Sequence, residues 1–357
     1  MLFNKSRLKT SMCLKVALMV MLSPPGSTSA EPEEGFVLDR FLGQSAGLNK
    51  TDIASVHSGK AMAVVLESAA PEEVFVAGIV HIDAEPEGYL KLATNFDELR
   101  KLPGYLGVQR FSNPPLASDL AEFTIDAADI KDLKTCKPGD CDVQLPSEAM
   151  EQFQKSIKWT SPDVEKQANS IARQMALDSL LAYQKGGNAA LGVYRDKEHP
   201  TRIAETFQTL LSRVKSLPVY LPELNRYLLE YPDVQLKNST SDFYWEKINF
   251  GLKPTLRIVH QIVYRGGSPA DPIYGVALKQ LYASHYFKSA LDLTICLRDS
   301  TRPNERGFYL LTVKGSQQAG LTGLKGSIVR KVAVDKSRSA LEKTLTAIKQ
   351  KLESGVR

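Results

Sequence analysis

The residues best equipped for chemistry in this chain are its five histidines, His57, His81, His199, His260 and His285, and its four cysteines. No two histidines stand at the close spacing of a zinc site, and no H-E-x-x-H run occurs. His260 and His285 fall within alternating apolar runs, which places both toward the buried side of a sheet. There they could meet Tyr264, Tyr282, Tyr286 or a carboxylate as a general acid or base in a cavity. The plainer role for each is a hydrogen-bonded structural histidine.

Cys136 and Cys141 enclose Lys137-Pro138-Gly139-Asp140, and a Pro-Gly turn brings chain ends together as a short disulfide loop requires. A redox pair would more usually have two residues between its cysteines, and a metal site would need two further ligands nearby. Cys296, inside an alternating apolar run, is expected to be a buried free thiol. Gly43-Gln44-Ser45-Ala46-Gly47 matches G-x-S-x-G, but no strands precede it to build the sheet of a nucleophile elbow, so it reads as a turn. Gly320, Gly323 and Gly326 lack the following helix and Lys-Ser/Thr of a phosphate loop, and are expected to bend a sheet.

These residues must be positioned by elements that the periodicity outlines. Short helices are expected over 36–58, strands over 60–67 and 74–83, and a helix over 90–102 ended by Pro103-Gly104. Residues 112–146 form a loop-rich stretch. Ser161-Pro162-Asp163 then opens a strong helix that Gly186-Gly187 stops, and further helices follow at 202–215 and 223–230. From Asp242 the period changes to two, with strand runs at 242–250, 254–265, 278–287, 289–298, 307–315 and 325–334. Short connectors between successive strands make an antiparallel meander. A last helix is expected to start near Asp335 or Ser337, with a capping box at Ser339 and Glu342 and an apolar stripe of Leu341, Leu345, Ile348 and Leu352. Within the meander Leu256, Ile258, His260, Ile262 and Tyr264 share one face, and His285, Phe287, Leu291, Leu293 and Ile295 another apolar face.

Residues 1–30 have the order of a cleavable secretory signal: Lys5, Arg7, Lys9 and Lys15, an apolar run over 16–22, then small residues ending at Ala30. That run is too short to span a membrane, so export to a periplasm or medium is expected, with no integral membrane association. The formal net charge of +5 falls to about +1 once the four cations of the signal are removed. No basic stripe remains, so no nucleic-acid partner is expected. Nothing calls for a cofactor or a metal.

The strand-to-helix passage Phe75-Val76-Ala77-Gly78-Ile79-Val80-His81-Ile82-Asp83-Ala84-Glu85-Pro86-Glu87, Pro103-Gly104, and the ending from Gly320-Leu321-Thr322-Gly323 through Leu341 to Leu352 resemble the START, Bet v 1 and polyketide-cyclase superfamily in element order. The resemblance covers residues 60–111 and 241–353, after an N-terminal helical segment at 31–59 and interrupted by a loop-rich and helical insertion at 112–240. It implies an α+β helix-grip fold, a curved antiparallel sheet wrapped on a long C-terminal helix around an apolar cavity. It also implies binding of a lipid or other apolar small molecule there, and less often catalysis. The candidate cavity residues are Ile258, His260, Ile262, Tyr264, His285 and Phe287. An enzyme using a histidine acid or base in the same cavity, or an assembly protein offering residues 161–231 to a protein partner, are the alternatives.

Overall fold

The structure, a computed structural model, describes residues 38–44, 47–101, 104–214, 216–249, 253–268, 272–299 and 306–355. The expected signal segment, residues 1–30, and part of the G-x-S-x-G run lie outside them. The chain opens with α1 (Leu38–Gln44) and α2 (Lys50–His57), the latter capped by the Asn49 side chain. A hairpin of β1 (Met62–Val65) and β2 (Glu73–Ile82) follows, then α3 (Pro86–Ala93), α4 (Phe96–Arg100) and β3 (Tyr105–Arg110).

Helices α5 (Ala127–Leu133), α6 (Ser147–Ser156) and α7 (Val164–Gly186), a small ribbon of β4 (Val193–Tyr194) and β5 (Thr201–Arg202), and helices α8 (Ile203–Arg213), α9 (Ser216–Tyr220) and α10 (Pro222–Glu230) form the inserted region. The meander β6 (Ser239–Ile248), β7 (Thr255–Gly267), β8 (Pro272–Ala283), β9 (Phe287–Leu297) and β10 (Phe308–Gln318) leads to α11 (Gly323–Ser354). The fold is thus α+β. Among the described residues eight strands form one antiparallel sheet in the order β1-β2-β10-β9-β8-β7-β6-β3.

Both faces of that sheet are covered, which is why β2 reads as a nearly unbroken apolar run. Val76, Val80, Tyr274, Val276 and Leu310 face Leu341 and Leu345 of α11. Gly78 sits under this helix, where a Cβ would come within 2.7 Å of Leu345, so only glycine allows so close an approach. On the opposite face, Phe75, Ala77, Ile79, Ile262 and Leu293 pack with α1 and α8–α10, and Leu256 and Ile258 pack with α5–α7.

Two expectations are corrected. Residues 325–334 are not a strand but the first turns of α11, which begins after Thr322 and runs through Asp335, Ser337 and Ser339. Its β-branched residues favour strand locally, yet no glycine or proline interrupts the chain from Ser327 to Ser354, and packing of Val334 against Val74 and Leu321 holds this end as helix. Gly320 and Gly323, both with positive φ, make the turn into that helix rather than a bend in the sheet. His285 is likewise not on a strand face. It lies in the turn Ser284-His285-Tyr286 between β8 and β9, where Tyr286 has φ 62°.

The cysteine expectation holds: Cys136 and Cys141 are bonded and Cys296 is a buried free thiol. The loop is held further by Gly139 N–H on the Arg195 carbonyl and Lys197 Nζ on the Cys141 carbonyl, at 2.7 and 2.8 Å. Replacing both cysteines by serine should lower stability by about 2 kcal/mol, the loop-entropy value for so short a ring. A urea midpoint that does not move would show instead that these flanking bonds alone set the loop.

Candidate ligand pocket

Helix α7 buries Ala168, Ala172, Ala176, Leu180 and Tyr183 at successive turns of one face. The short alanines leave space between this face and the strands beneath it. A cavity of about 380 Å³ results. Its floor is Leu256 and Ile258 of β7 with Leu281 and Tyr282 of β8. The walls are Ala172, Met175, Ala176, Leu180 and Tyr183 from α7, Phe123, Ile125, Leu133, Val143, Leu145 and Phe153 from the preceding insertion, and Ala190, Leu191, Tyr194 and Ile203 beyond α7. Polar groups are few, among them Asp129, Asp178, Ser179 and Ser284.

At one place in this wall Asp129, 4% exposed, pairs with His285. The Asp129 Oδ2 to His285 Nε2 distance is 2.8 Å, and His285 Nδ1 meets the Asp142 carbonyl at 3.0 Å. Both ring nitrogens are therefore taken, and neither is left to accept a proton from a ligand. Lys253 Nζ joins the cluster, 3.0 Å from Asp132 and 3.5 Å from both Asp129 and Asp142. Burial opposes its charge, but these carboxylates outweigh burial and the net effect raises the Lys253 pKa.

At another place Tyr183 lines the pocket and carries a second polar network behind it. Its hydroxyl lies 3.0 Å from Lys279 Nζ and 3.2 Å from His260 Nδ1, while His260 Nε2 meets the hydroxyl of the exposed Ser241 at 2.6 Å. Lys279 also donates to the Asn188 side-chain oxygen and sits 4.1 Å from the centroid of Phe207. Lys279 and His260 are both 0% exposed. Burial pushes the Lys279 ammonium well below its usual range. The imidazole of His260 is lowered in the same way by burial and then by the nearby Lys279 charge. Burial raises the Tyr183 phenol, with smaller contributions from Tyr231 and Tyr227.

The two histidines thus serve separate networks and are not brought together. Of the six candidate cavity residues, Ile258 lines the pocket, and His260 stands behind Tyr183. Ile262 and Tyr264 belong to the neighbouring core under α8–α10, where the Tyr264 hydroxyl donates to Glu223 at 3.1 Å. Phe287 starts β9 with the Arg257 guanidinium 5.7 Å from its ring centroid. Lys279 and Tyr183 were not singled out by the sequence. The signal for Lys279 is a lysine at the same alternation as Gly275 and Ala277 in a strand with no other charged residue.

Among the described residues, Asp39, His57 and Asp299 each bring one ligating atom within 4.8 Å of the others. His57 is already engaged, its Nε2 2.7 Å from Asp39 and its Nδ1 2.7 Å from the Tyr309 hydroxyl. None of the three lines the pocket. No helix among the described residues is long and apolar enough to cross a membrane. No family model, curated protein or solved structure matches the chain.

Proposed function

We propose that this protein is exported and carries a lipid or other apolar small molecule in the pocket between α7 and strands β7 and β8. The observation that carries this reading is the cavity itself. Its volume of about 380 Å³ lies in the range of small-molecule sites, and apolar side chains make up nearly all of its wall. Each 100 Å² of apolar ligand surface removed from water there would contribute about 2.5 kcal/mol.

The element order supports a helix-grip scaffold. A strand, β2, is followed by two short helices, then β3, then a meander and a long final helix, with β2 and β3 entering on either side of the meander. The reading departs from the resemblance in one respect: the pocket lies under the inserted helices, on the sheet face opposite α11. The Cys136–Cys141 disulfide is in keeping with an oxidising, exported setting.

Nile red, a neutral apolar fluorophore, should bind the purified protein, and mass spectrometry of an organic extract should find a co-purified apolar compound. Ala176→Phe places a ring in the cavity and should abolish Nile red binding while leaving the thermal midpoint equal or higher. Absence of Nile red binding, or undiminished binding by a folded Ala176→Phe variant, would overturn the reading.

A further inference from the structure

We propose that the ligand is an apolar chain ending in a carboxylate, and that Lys279 receives that carboxylate. The inference rests on the pocket reading above and adds the chemistry of the ligand's head group. Among the described residues, no Asp or Glu pairs with Lys279, although its side chain is fully buried. Its neighbours are neutral: the Tyr183 hydroxyl, the Asn188 amide oxygen and the ring of Phe207. A buried ammonium with no counter-charge is costly, and buried charges in proteins are normally paired. Burial disfavours the charge on Lys279, and an anion bound beside it is the partner that would hold the proton taken up from solvent and keep the ammonium charged.

The place that anion would come from is continuous with the pocket. Tyr183 is shared by both, forming the pocket wall on one side and bonding Lys279 on the other. Lys279 pairs with His260 and the pocket residue Tyr282 with the pocket residue Ile258, and His260 and Ile258 are two positions apart on the same face of β7. Asn188 and Phe207 stand two and four residues from the pocket residues Ala190 and Ile203. Tyr183 is therefore the partition between an apolar chamber and a cationic recess. Turning its side chain aside joins the two, and the Lys279 ammonium and Tyr183 O–H can then both donate to carboxylate oxygens, the strong, charge-assisted form of hydrogen bond. Elsewhere the pocket wall carries the carboxyl groups of Asp129 and Asp178 and no lysine or arginine, which sets the direction in which the ligand lies.

The test is displacement of Nile red from the full exported protein by dodecanoate and by dodecanol. Dodecanoate should compete at least about tenfold better than dodecanol in the wild type, the worth of one buried charge-assisted contact. In Lys279→Met and in Lys279→Gln that ratio should fall to about one, each variant being shown folded by its own Nile red signal. Equal competition by acid and alcohol in the wild type overturns the inference while leaving the pocket reading intact. So does an acid preference that survives in either variant, which would put the carboxylate at another cation. Failure of Nile red to bind the wild type removes both.

Discussion

Asp129→Ala should cost about 1–3 kcal/mol of stability, the range for leaving a buried hydrogen-bonding group without its partner. Asp129 sits almost out of solvent between His285 at 2.8 Å and Lys253 at 3.5 Å. Its removal leaves the His285 Nε2, only 3% exposed, facing a void with no acceptor, while Nδ1 stays fixed on the Asp142 carbonyl. The damage reaches further than one contact, because Asp129 belongs to α5, Lys253 to the start of β7, and His285 to the β8–β9 turn. The carboxylate is thus the point at which the insertion is tied to one end of the sheet. Urea unfolding at neutral pH measures the cost. Asp132→Ala provides the comparison, since its carboxylate is about one-third exposed and should contribute less than about 1 kcal/mol. Equal losses in the two variants would show that the burial of Asp129 has no special weight.

Lys279→Met should have the opposite sign and raise stability at neutral pH. A methionine fills similar volume without a charge to desolvate, and replacing buried charge by apolar groups is often stabilising. The more distinctive expectation concerns pH. The Lys279 ammonium releases its proton more readily in the folded protein than in the unfolded chain, where the ordinary value is 10.5. Between those two values the unfolded chain binds more protons, so stability rises with pH at up to about 1.4 kcal/mol per unit. His260 adds the same dependence at lower pH, because its folded value lies well below the ordinary 6.5. As pH rises toward about 9.5, ahead of the tyrosine range, the wild type should therefore gain stability, and Lys279→Met should lose that gain. Urea midpoints across this interval decide it. An identical slope in both proteins would mean that Lys279 keeps its proton when buried.

Much of the architecture was readable because it follows from local chemistry. Helix α7 lies where Ser161-Pro162-Asp163 and Gly186-Gly187 bracket an apolar stripe, and the meander follows its period-two pattern and short turns. What failed, failed where tertiary contact decides. The first turns of α11 are rich in β-branched residues; Ile328, Val329 and Val332 are exposed while Val334 packs on Val74 and Leu321, and continuity with the docked part of the helix keeps this end helical. The alternation in β7 correctly groups Leu256, Ile258, His260, Ile262 and Tyr264 on one face. It carries no information about which helix covers that face, so Ile258, His260, Ile262 and Tyr264 are expected in a cavity beside the final helix, whereas they lie under the insertion. Lys279 escaped notice for a related reason. A lone lysine in a strand reads as solvent-facing unless the sheet is known to be covered on both sides.

The insertion that roofs the pocket leaves the sheet at the end of β3 and returns at the start of β6, and these two strands are hydrogen-bonded neighbours. The Phe111 N–H even donates to the Phe243 carbonyl across the gap. Everything between is an excursion that begins and ends one strand spacing apart. Its two ends add no span between strands, so its length can vary while β3 and β6 stay paired. One wall of the cavity is held constant by β7 and β8, while the other can be recast residue by residue. Under the proposed ligand reading, selectivity for the ligand's chain is accordingly a property of the excursion, and Lys279 behind Tyr183 is a property of the scaffold.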